Sequence, residues 1–158
     1  MLILTTGGTI DKVYFDANSE YEVGESMVPH MFREVGARPD YRLLPLLRKD
    51  SLEITAEDRA EIRAQCVAAV EDRIVITHGT DTMTVTAEAL IGIPGKTIVL
   101  TGSLAPARFR TTDAIFNLGC ALGAAAAGSP GVYIAMHGCV FEAGKVRKNR
   151  DAQRFEAV

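Results

Sequence analysis

The regular alternation of short apolar runs with helical stretches constrains this chain more than any other feature. Segments 2–5, 41–47, 73–77, 97–101 and 132–136 each have the composition of a strand buried on both faces. Helix signals separate them. Thr55-Ala-Glu-Asp58 has the form of a capping box, and Ile62, Cys66, Ala69 and Val70 follow as an apolar stripe. A second helix is predicted over 81–91, ended by Gly92 and Pro94. A third begins near Thr112, carries Ile115, Leu118 and Leu122 on one side, and stops at Gly128-Ser129-Pro130. Segment 26–36 predicts one more, with Pro29 in its first turn. This order implies an α/β fold: an open, mainly parallel sheet with right-handed crossovers and helices on both faces.

Two segments break the rhythm. Cys139-Val-Phe141, Glu142-Ala-Gly144 and Lys145-Val-Arg147 together have the pattern of a C-terminal β-hairpin over 138–148. Residues 11–25 carry no periodicity and hold Asp16, Asn18, Ser19 and Gly24. They read as a long loop, the kind that often serves as an active-site lid.

At 158 residues the chain can bury a core without disulfide or metal staples, and residues 1–158 read as a single domain. A net charge of −3 leaves no electrostatic footprint for nucleic acid or an anionic membrane surface. No stretch approaches the ~20 apolar residues of a membrane span. The N-terminus lacks the basic region of a signal peptide. Cys66, Cys120 and Cys139 stand at no ligand-like spacing and fit a reducing compartment, so the expected location is the cytoplasm.

Three predicted strands run into the same kind of sequence: Thr6-Gly7-Gly8-Thr9, Thr77-His78-Gly79-Thr80-Asp81, and Thr101-Gly102-Ser103. Ligands bind at the carboxyl ends of the strands in an open parallel sheet. Glycines let the backbone approach a ligand there, and helix N-termini point N–H groups at it. Taken singly, Thr9, Thr80 and Ser103 have the residue type of a helix cap; three such turns at one sheet edge make a site. Neither G-x-G-x-x-G nor G-x-x-x-x-G-K-[ST] occurs, which argues against a nucleotide loop. His30, His78 and His137 lack metal-ligand spacing, and no G-x-S-x-G elbow is present. His78 fits a structural part in its turn. No cofactor or metal is expected.

These residues carry a resemblance. Thr6-Gly-Gly-Thr-Ile10 after the first strand, and His78-Gly-Thr-Asp-Thr-Met83 after a central one, resemble the two signature motifs of the bacterial-type L-asparaginase family. Ser19-Glu-Tyr-Glu-Val-Gly24 is similar to that family's mobile-loop segment. Thr101-Gly-Ser-Leu-Ala-Pro106 with Asp113 to Asn117-Leu118 resembles its segment after the fourth strand, and Lys145 to Asn149 its lysine-bearing hairpin. The resemblance implies a cofactor-free amidohydrolase converting L-asparagine to L-aspartate and ammonia. It implies Thr9 as the nucleophile, Tyr21 as the loop tyrosine that helps take its proton, and Thr80 with Lys148 as second threonine and lysine. Asp81 would bind the substrate's ammonium, and Gly8 and Gly79 would lend backbone to the site. A threonine hydroxyl needs a neighbour to accept its proton before it attacks, so this set is chemically coherent.

Two departures from the family pattern stand out. Where small polar residues are usual before an aspartate, this chain has Leu47-Arg48-Lys49-Asp50-Ser51. Arg48 or Lys49 could pair with the substrate's carboxylate, Asp50 or Ser51 could contact it, or the run could be plain surface charge. The chain also ends just after the lysine hairpin, where relatives continue into a C-terminal domain, so a short-chain form is expected. A cleft without that domain calls for a homo-oligomer or stays open. Two other functions fit the same residues: a non-catalytic amino-acid-binding module, and an amidase for glutamine or a larger asparaginyl substrate.

Overall fold

The computed structural model describes residues 1–15 and 20–158, with Phe15 and Glu20 described by backbone alone. The chain begins with strand β1 (Leu2–Gly7), then strands β2 (Lys12–Phe15) and β3 (Glu20–Val23) and helix α1 (Val28–Glu34). It continues through β4 (Arg42–Lys49), α2 (Ala56–Ala68), β5 (Arg73–Thr77), α3 (Met83–Leu90), β6 (Thr97–Thr101) and α4 (Ala114–Ala127). Strands β7 (Gly131–Met136), β8 (Cys139–Glu142), β9 (Val146–Asn149) and β10 (Arg154–Ala157) follow.

Six strands form one sheet in the order β4-β1-β5-β6-β7-β8, parallel apart from β8, which runs antiparallel to β7. This is the expected mainly parallel sheet, and strand alternation shows why it is covered on both faces. Leu2, Leu4, Ile74, Ile76, Ile98 and Leu100 pack with Ile62 and Cys66 of α2 and Met83, Ala87 and Leu90 of α3. Ile3, Val75 and Val99 point the other way, against Met31 and Phe32 of α1 and Leu118, Ala121 and Ala125 of α4. Each large aliphatic side chain buried in this way stabilises the fold by roughly 1.5–3 kcal/mol.

Thr55 begins α2 as the capping box predicts: its hydroxyl accepts the Asp58 N–H at 3.2 Å, and the Asp58 carboxylate accepts the Thr55 N–H at 2.9 Å. Such a cap is worth about 1 kcal/mol. The helix ends at Ala68, so Val70 falls outside the buried stripe and is 91% exposed.

Three other expectations are corrected. Strand β4 lies at the sheet edge with no fully buried residue, exposed at Arg42, Pro45 and Arg48 and half-buried between them, and the edge position explains how Pro45 is tolerated within it. Residues 12–15 and 20–23 are not loop but an antiparallel pair, with Tyr14 opposite Tyr21 and their rings 5.5 Å apart. Four-residue strands with exposed tyrosines leave no apolar run to read, and cross-strand ring contact supplies the pairing. Asp16, Asn18 and Ser19 lie outside the described residues. The C-terminal hairpin exists, but its strands are β9 and β10, with Lys148 opposite Phe155. The 139–142 segment instead folds back on β7, because His137 (φ 53°) and Gly138 (φ 79°) make a two-residue left-handed turn between them.

The strand sequence reverses at β1: the next sheet strand in the chain, β4, lies on one side and β5 on the other. In open α/β sheets this is where ligand crevices open. Gly8, just past β1, has φ 85° and ψ −174°, a conformation nearly confined to glycine. A Cβ there would lie 2.4 Å from the backbone nitrogen of Gly79. Gly92 has φ 86°, yet a Cβ there would meet nothing within 4 Å, so it isolates backbone strain from collision. Gly8→Ala is expected to lower stability by more than about 3 kcal/mol, and Gly92→Ala by about 1 kcal/mol. Urea unfolding of both variants checks this, and equal midpoints would remove the close approach as the cause.

Candidate active site

Strand β1 passes through Gly7 and Gly8 directly into a 3-10 turn, Thr9–Asp11, which leaves Thr9 half-buried above a fully buried Ile10. Beside it, β5 runs through the buried Thr77 and His78 to Gly79, Thr80 and Asp81 before α3 begins. The end of β4 supplies buried Ser51, heading its own 3-10 turn. Its hydroxyl accepts the Asp81 N–H at 3.3 Å, and its carbonyl accepts the Thr82 hydroxyl at 2.6 Å. Gly79 faces Ser51 so closely that a Cβ would lie 2.6 Å from the serine Cβ.

A fourth group arrives from far along the chain. Lys148 on β9 donates from Nζ to Thr80 Oγ1 at 2.7 Å and to Asp81 Oδ1 at 2.7 Å. Its side chain is only 13% exposed. Val146 and Phe155 dock the β9–β10 hairpin into the same apolar layer as α3, which fixes where the lysine can reach. Thr9, Thr80, Asp81 and Lys148 line one cavity of about 330 Å³, and Leu104, Arg150 and Gln153 complete its wall. A larger cleft of about 490 Å³, beside α1 and Arg108, holds none of these four groups.

The remaining candidate residues lie at different distances from this cavity. Gly8 and Gly79 precede Thr9 and Thr80 in the chain and lie against each other, a Cβ on Gly8 falling 2.4 Å from the Gly79 nitrogen. Tyr21 is half-exposed between Tyr14 and Phe109, its ring 6.0 Å from that of Phe109, and is not among the cavity's lining residues. Arg48 approaches Glu25 at 3.6 Å, and Lys49 pairs with Asp58 at 2.7 Å. Asp50 pairs with Lys12 at 2.8 Å and caps the turn that carries Ser51. Leu104, Arg150 and Gln153 were not singled out in the sequence. Leu104 is oriented by Asp113, whose carboxylate accepts the Leu104 N–H at 3.0 Å and the Ala105 N–H at 3.1 Å. Arg150 stands in the turn just past β9, which no local sequence pattern marks.

Beneath the site lies a buried polar chain. His78 is fully buried, with Nδ1 2.7 Å from its neighbour's Gly79 carbonyl and Nε2 2.9 Å from Thr86 Oγ1. Arg59 Nε donates to the same threonine hydroxyl at 3.1 Å. One arrangement satisfies all three contacts: Nδ1–H donates to Gly79, and Nε2 accepts the Thr86 hydroxyl proton. The imidazole is therefore neutral, and burial pushes its pKa down to about 4, which the structural part expected of this residue requires. Asp11 is the opposite case. Burial pushes its carboxyl up to about 6, against the Met27 N–H that donates to it at 2.8 Å.

Comparison with known proteins agrees with this geometry. The family model described as Asparaginase, N-terminal, matches residues 1–158. An L-asparaginase of Thermococcus kodakarensis is 37% identical over 143 residues, covering 85% of this chain and 43% of that protein. A glutamyl-tRNA(Gln) amidotransferase component from Haloquadratum walsbyi is 30% identical over 167 residues, covering 96% of this chain and 38% of that protein. The solved thermostable L-asparaginase from Thermococcus kodakarensis superposes with a TM-score of 0.85 at 30% identity, covering 99% of this chain and 50% of that one. The chain thus spans half or less of the length of these relatives.

Asp11 and His78 give stability an unusual pH profile. His78 binds a proton more readily when unfolded, so its contribution is present above its ordinary pKa of 6.5 and is lost as pH falls toward about 4. Asp11 binds a proton more readily when folded, so its contribution is present below its ordinary 3.8 and is lost as pH rises toward about 6. Between about pH 4 and about pH 6 the two oppose each other, and the melting temperature of the wild type should change little. Asp11→Asn keeps an acceptor for the Met27 N–H and removes one side of the balance. Its melting temperature should fall on acidification through that window; a profile as flat as the wild type's would contradict the assignment.

Proposed function

Because the chain belongs to the asparaginase family, matched by the N-terminal model over its whole length, we propose that it is an amidohydrolase that hydrolyses L-asparagine to L-aspartate and ammonia through a threonine ester. The observation that carries this reading is the cavity in which Thr9 faces Thr80, Asp81 and Lys148, with Lys148 bridging the other two. A binding module needs Asp81 but neither a nucleophile nor a lysine beside a second hydroxyl.

Thr9 Oγ attacks the side-chain amide carbon, and backbone N–H groups of the glycine turns meet the developing oxyanion. The C–N bond breaks, ammonia leaves with a proton, and water then cleaves the Thr9 ester to give aspartate. Asp81 receives the substrate's ammonium. Lys148, with Nζ 2.7 Å from Thr80 Oγ1, is the candidate to take up the nucleophile's proton through Thr80. Tyr21 is the candidate to reach Thr9 from the β2–β3 hairpin once substrate is bound, closing the cleft against water.

The relatives named as amidotransferase components favour one second reading, an amidase that accepts glutamine or a larger asparaginyl substrate. Ammonia release from asparagine and from glutamine separates the two. Cytoplasmic location fits the absence of disulfides among Cys66, Cys120 and Cys139. A homo-oligomer is proposed with it, since α4 carries no charged residue and leaves Phe116 63% exposed.

Thr9→Ala should cut turnover at least about 10³-fold while asparagine still binds, because it removes the attacking oxygen and little ground-state contact. Lys148→Met should lower kcat by about 10²-fold or more, the usual worth of a positioned proton acceptor. Asp81→Asn should act mainly on KM, raising it about tenfold or more, since the ammonium contact is made in ground and transition states alike. Steady-state kinetics and calorimetric binding of asparagine check all three. Substantial turnover by Thr9→Ala would remove the nucleophile, and a pure KM defect in Lys148→Met would remove the base.

A further inference from the structure

Asp113 stands at the N-cap of α4, yet its side chain makes no capping bond to that helix. An aspartate in this position ordinarily accepts N–H groups of the first turn. Thr112 takes over that part: its hydroxyl accepts the Ala114 N–H at 3.1 Å and donates to the Ala105 carbonyl at 3.1 Å. The Asp113 carboxylate is turned instead toward the loop after β6. Its Oδ1 accepts the Leu104 N–H at 3.0 Å and the Ala105 N–H at 3.1 Å. Its Oδ2 accepts from Asn117 Nδ2 at 2.8 Å, with His137 Nε2 3.3 Å away.

That loop hangs between the two threonine turns. At one end the His78 N–H, two residues before Thr80, donates to the Thr101 carbonyl at 2.8 Å, and Asn117 Nδ2 donates to the Gly102 carbonyl at 3.0 Å. At the other the Ala107 N–H donates at 3.1 Å to the carbonyl of Ile10, the residue after Thr9. Ser103 is buried between these ends, and its hydroxyl donates to the Ala105 carbonyl at 2.6 Å. Leu104 itself is 37% exposed, so its place is set by main-chain bonds rather than by burial. Among the described residues that line the cavity with Thr9, Thr80, Asp81 and Lys148, it is the only aliphatic one.

We infer that Asp113 is a positioning residue: by clamping the Leu104 and Ala105 N–H groups it sets how far the Leu104 wall stands from the threonine turns, and so makes the cavity select asparagine over glutamine. The inference rests on the amidohydrolase reading above and names the side-chain length that the site takes. Bonds to a carboxylate are stronger than those between neutral groups, so a wall held by them does not retreat to admit a longer amide. Glutamine carries its amide one methylene farther from the ammonium that Asp81 receives. Asp113 touches no substrate and acts through the position of Leu104.

The test measures ammonia release from L-asparagine and L-glutamine by the wild type, Leu104→Ala, Asp113→Ala, Asp113→Asn and the Leu104→Ala/Asp113→Ala double variant. The wild type should favour asparagine by about 100-fold in kcat/KM, and Leu104→Ala and Asp113→Ala should each narrow that ratio about tenfold, within the range that one methylene is worth. Asp113→Asn keeps one oxygen for the loop but turns a donor toward Asn117, and should fall between. The change should appear as a higher KM for asparagine with kcat little altered, because the wall touches ground and transition states alike. In the double variant the two losses should not add, since Asp113 works through Leu104. Melting curves report folding, and Asp113→Asn carries the comparison should Asp113→Ala not fold. Equal losses on both substrates, full additivity in the double variant, or a wild type that hydrolyses glutamine as well as asparagine would overturn the inference and leave the amidohydrolase reading standing. A wild type that releases no ammonia from either would defeat that reading. Calorimetric binding of L-aspartate and L-glutamate then decides the inference: a preference for L-aspartate that narrows in Asp113→Asn supports it, and no preference overturns it.

Discussion

The site depends on three backbones meeting without side chains between them. Gly8 lies against Gly79, and Gly79 against Ser51, at separations where an added Cβ would sit 2.4 and 2.6 Å from its neighbour. This contact joins the ends of β1, β5 and β4 at the point where the strand order reverses. Two consequences follow from it. Thr9 is carried over the Thr80–Asp81 turn, and Ser51 comes within reach of the Asp81 N–H, so the nucleophile candidate and the ammonium-binding candidate are placed by main chain. Side-chain rotamers are free to move; interlocked strand ends are not. Preorganisation of that kind is what lets fixed dipoles act on developing charge.

The same region keeps its charges at the rim. Below the glycine contact Thr6 donates to the Thr77 carbonyl at 3.0 Å, and His78 is held uncharged between Gly79 and Thr86, whose hydroxyl also accepts the Arg59 Nε–H at 3.1 Å. A charged imidazole there would have to be desolvated completely, which is why burial drives it to the neutral form. Above the contact stand Asp81, Lys148 and Arg150, all on the cavity wall.

Much of this was legible in the sequence because it follows from local pattern. The five apolar runs, the Thr55 capping box and the two threonine-bearing motifs each carry their own signal, and the sheet edge to which they converge follows from the rule for parallel strands. What was not legible depends on pairing. Cys139-Val-Phe141 and Lys145-Val-Arg147 have the pattern of two strands of one hairpin, and nothing local says that the first prefers β7 and the second β10. The His137-Gly138 turn decides it, since two left-handed residues close a hairpin one segment earlier. The 12–15 and 20–23 strands escaped for a similar reason: their stabilising contact is between tyrosine rings across the pair, not along either strand. In the site, Arg150 and Gln153 were missed because the turn that presents them is defined by hydrogen bonds to Asn149 and Arg150, not by a motif.

The β9–β10 pairing also bears on how the site is held together. Lys148 lies 67 residues from Asp81 in the chain, so its contact is among the least local in the fold. Closing so large a loop costs entropy that the ion pair alone does not return, because a part-exposed pair contributes about 1 kcal/mol or less. The offset must come from burial, and the β9–β10 hairpin has two buried apolar anchors, Val146 and Phe155. Phe155 stands directly opposite Lys148, so one residue pair both docks the hairpin and aims the lysine. Beyond the rigid glycine contact the cleft therefore has a second wall of lower local stability, and that wall bears Lys148, Arg150 and Gln153. Regions that open locally are drawn from such sparsely anchored elements. Docking of the hairpin and completion of the charged rim are in this sense one event, governed by two side chains that touch no substrate.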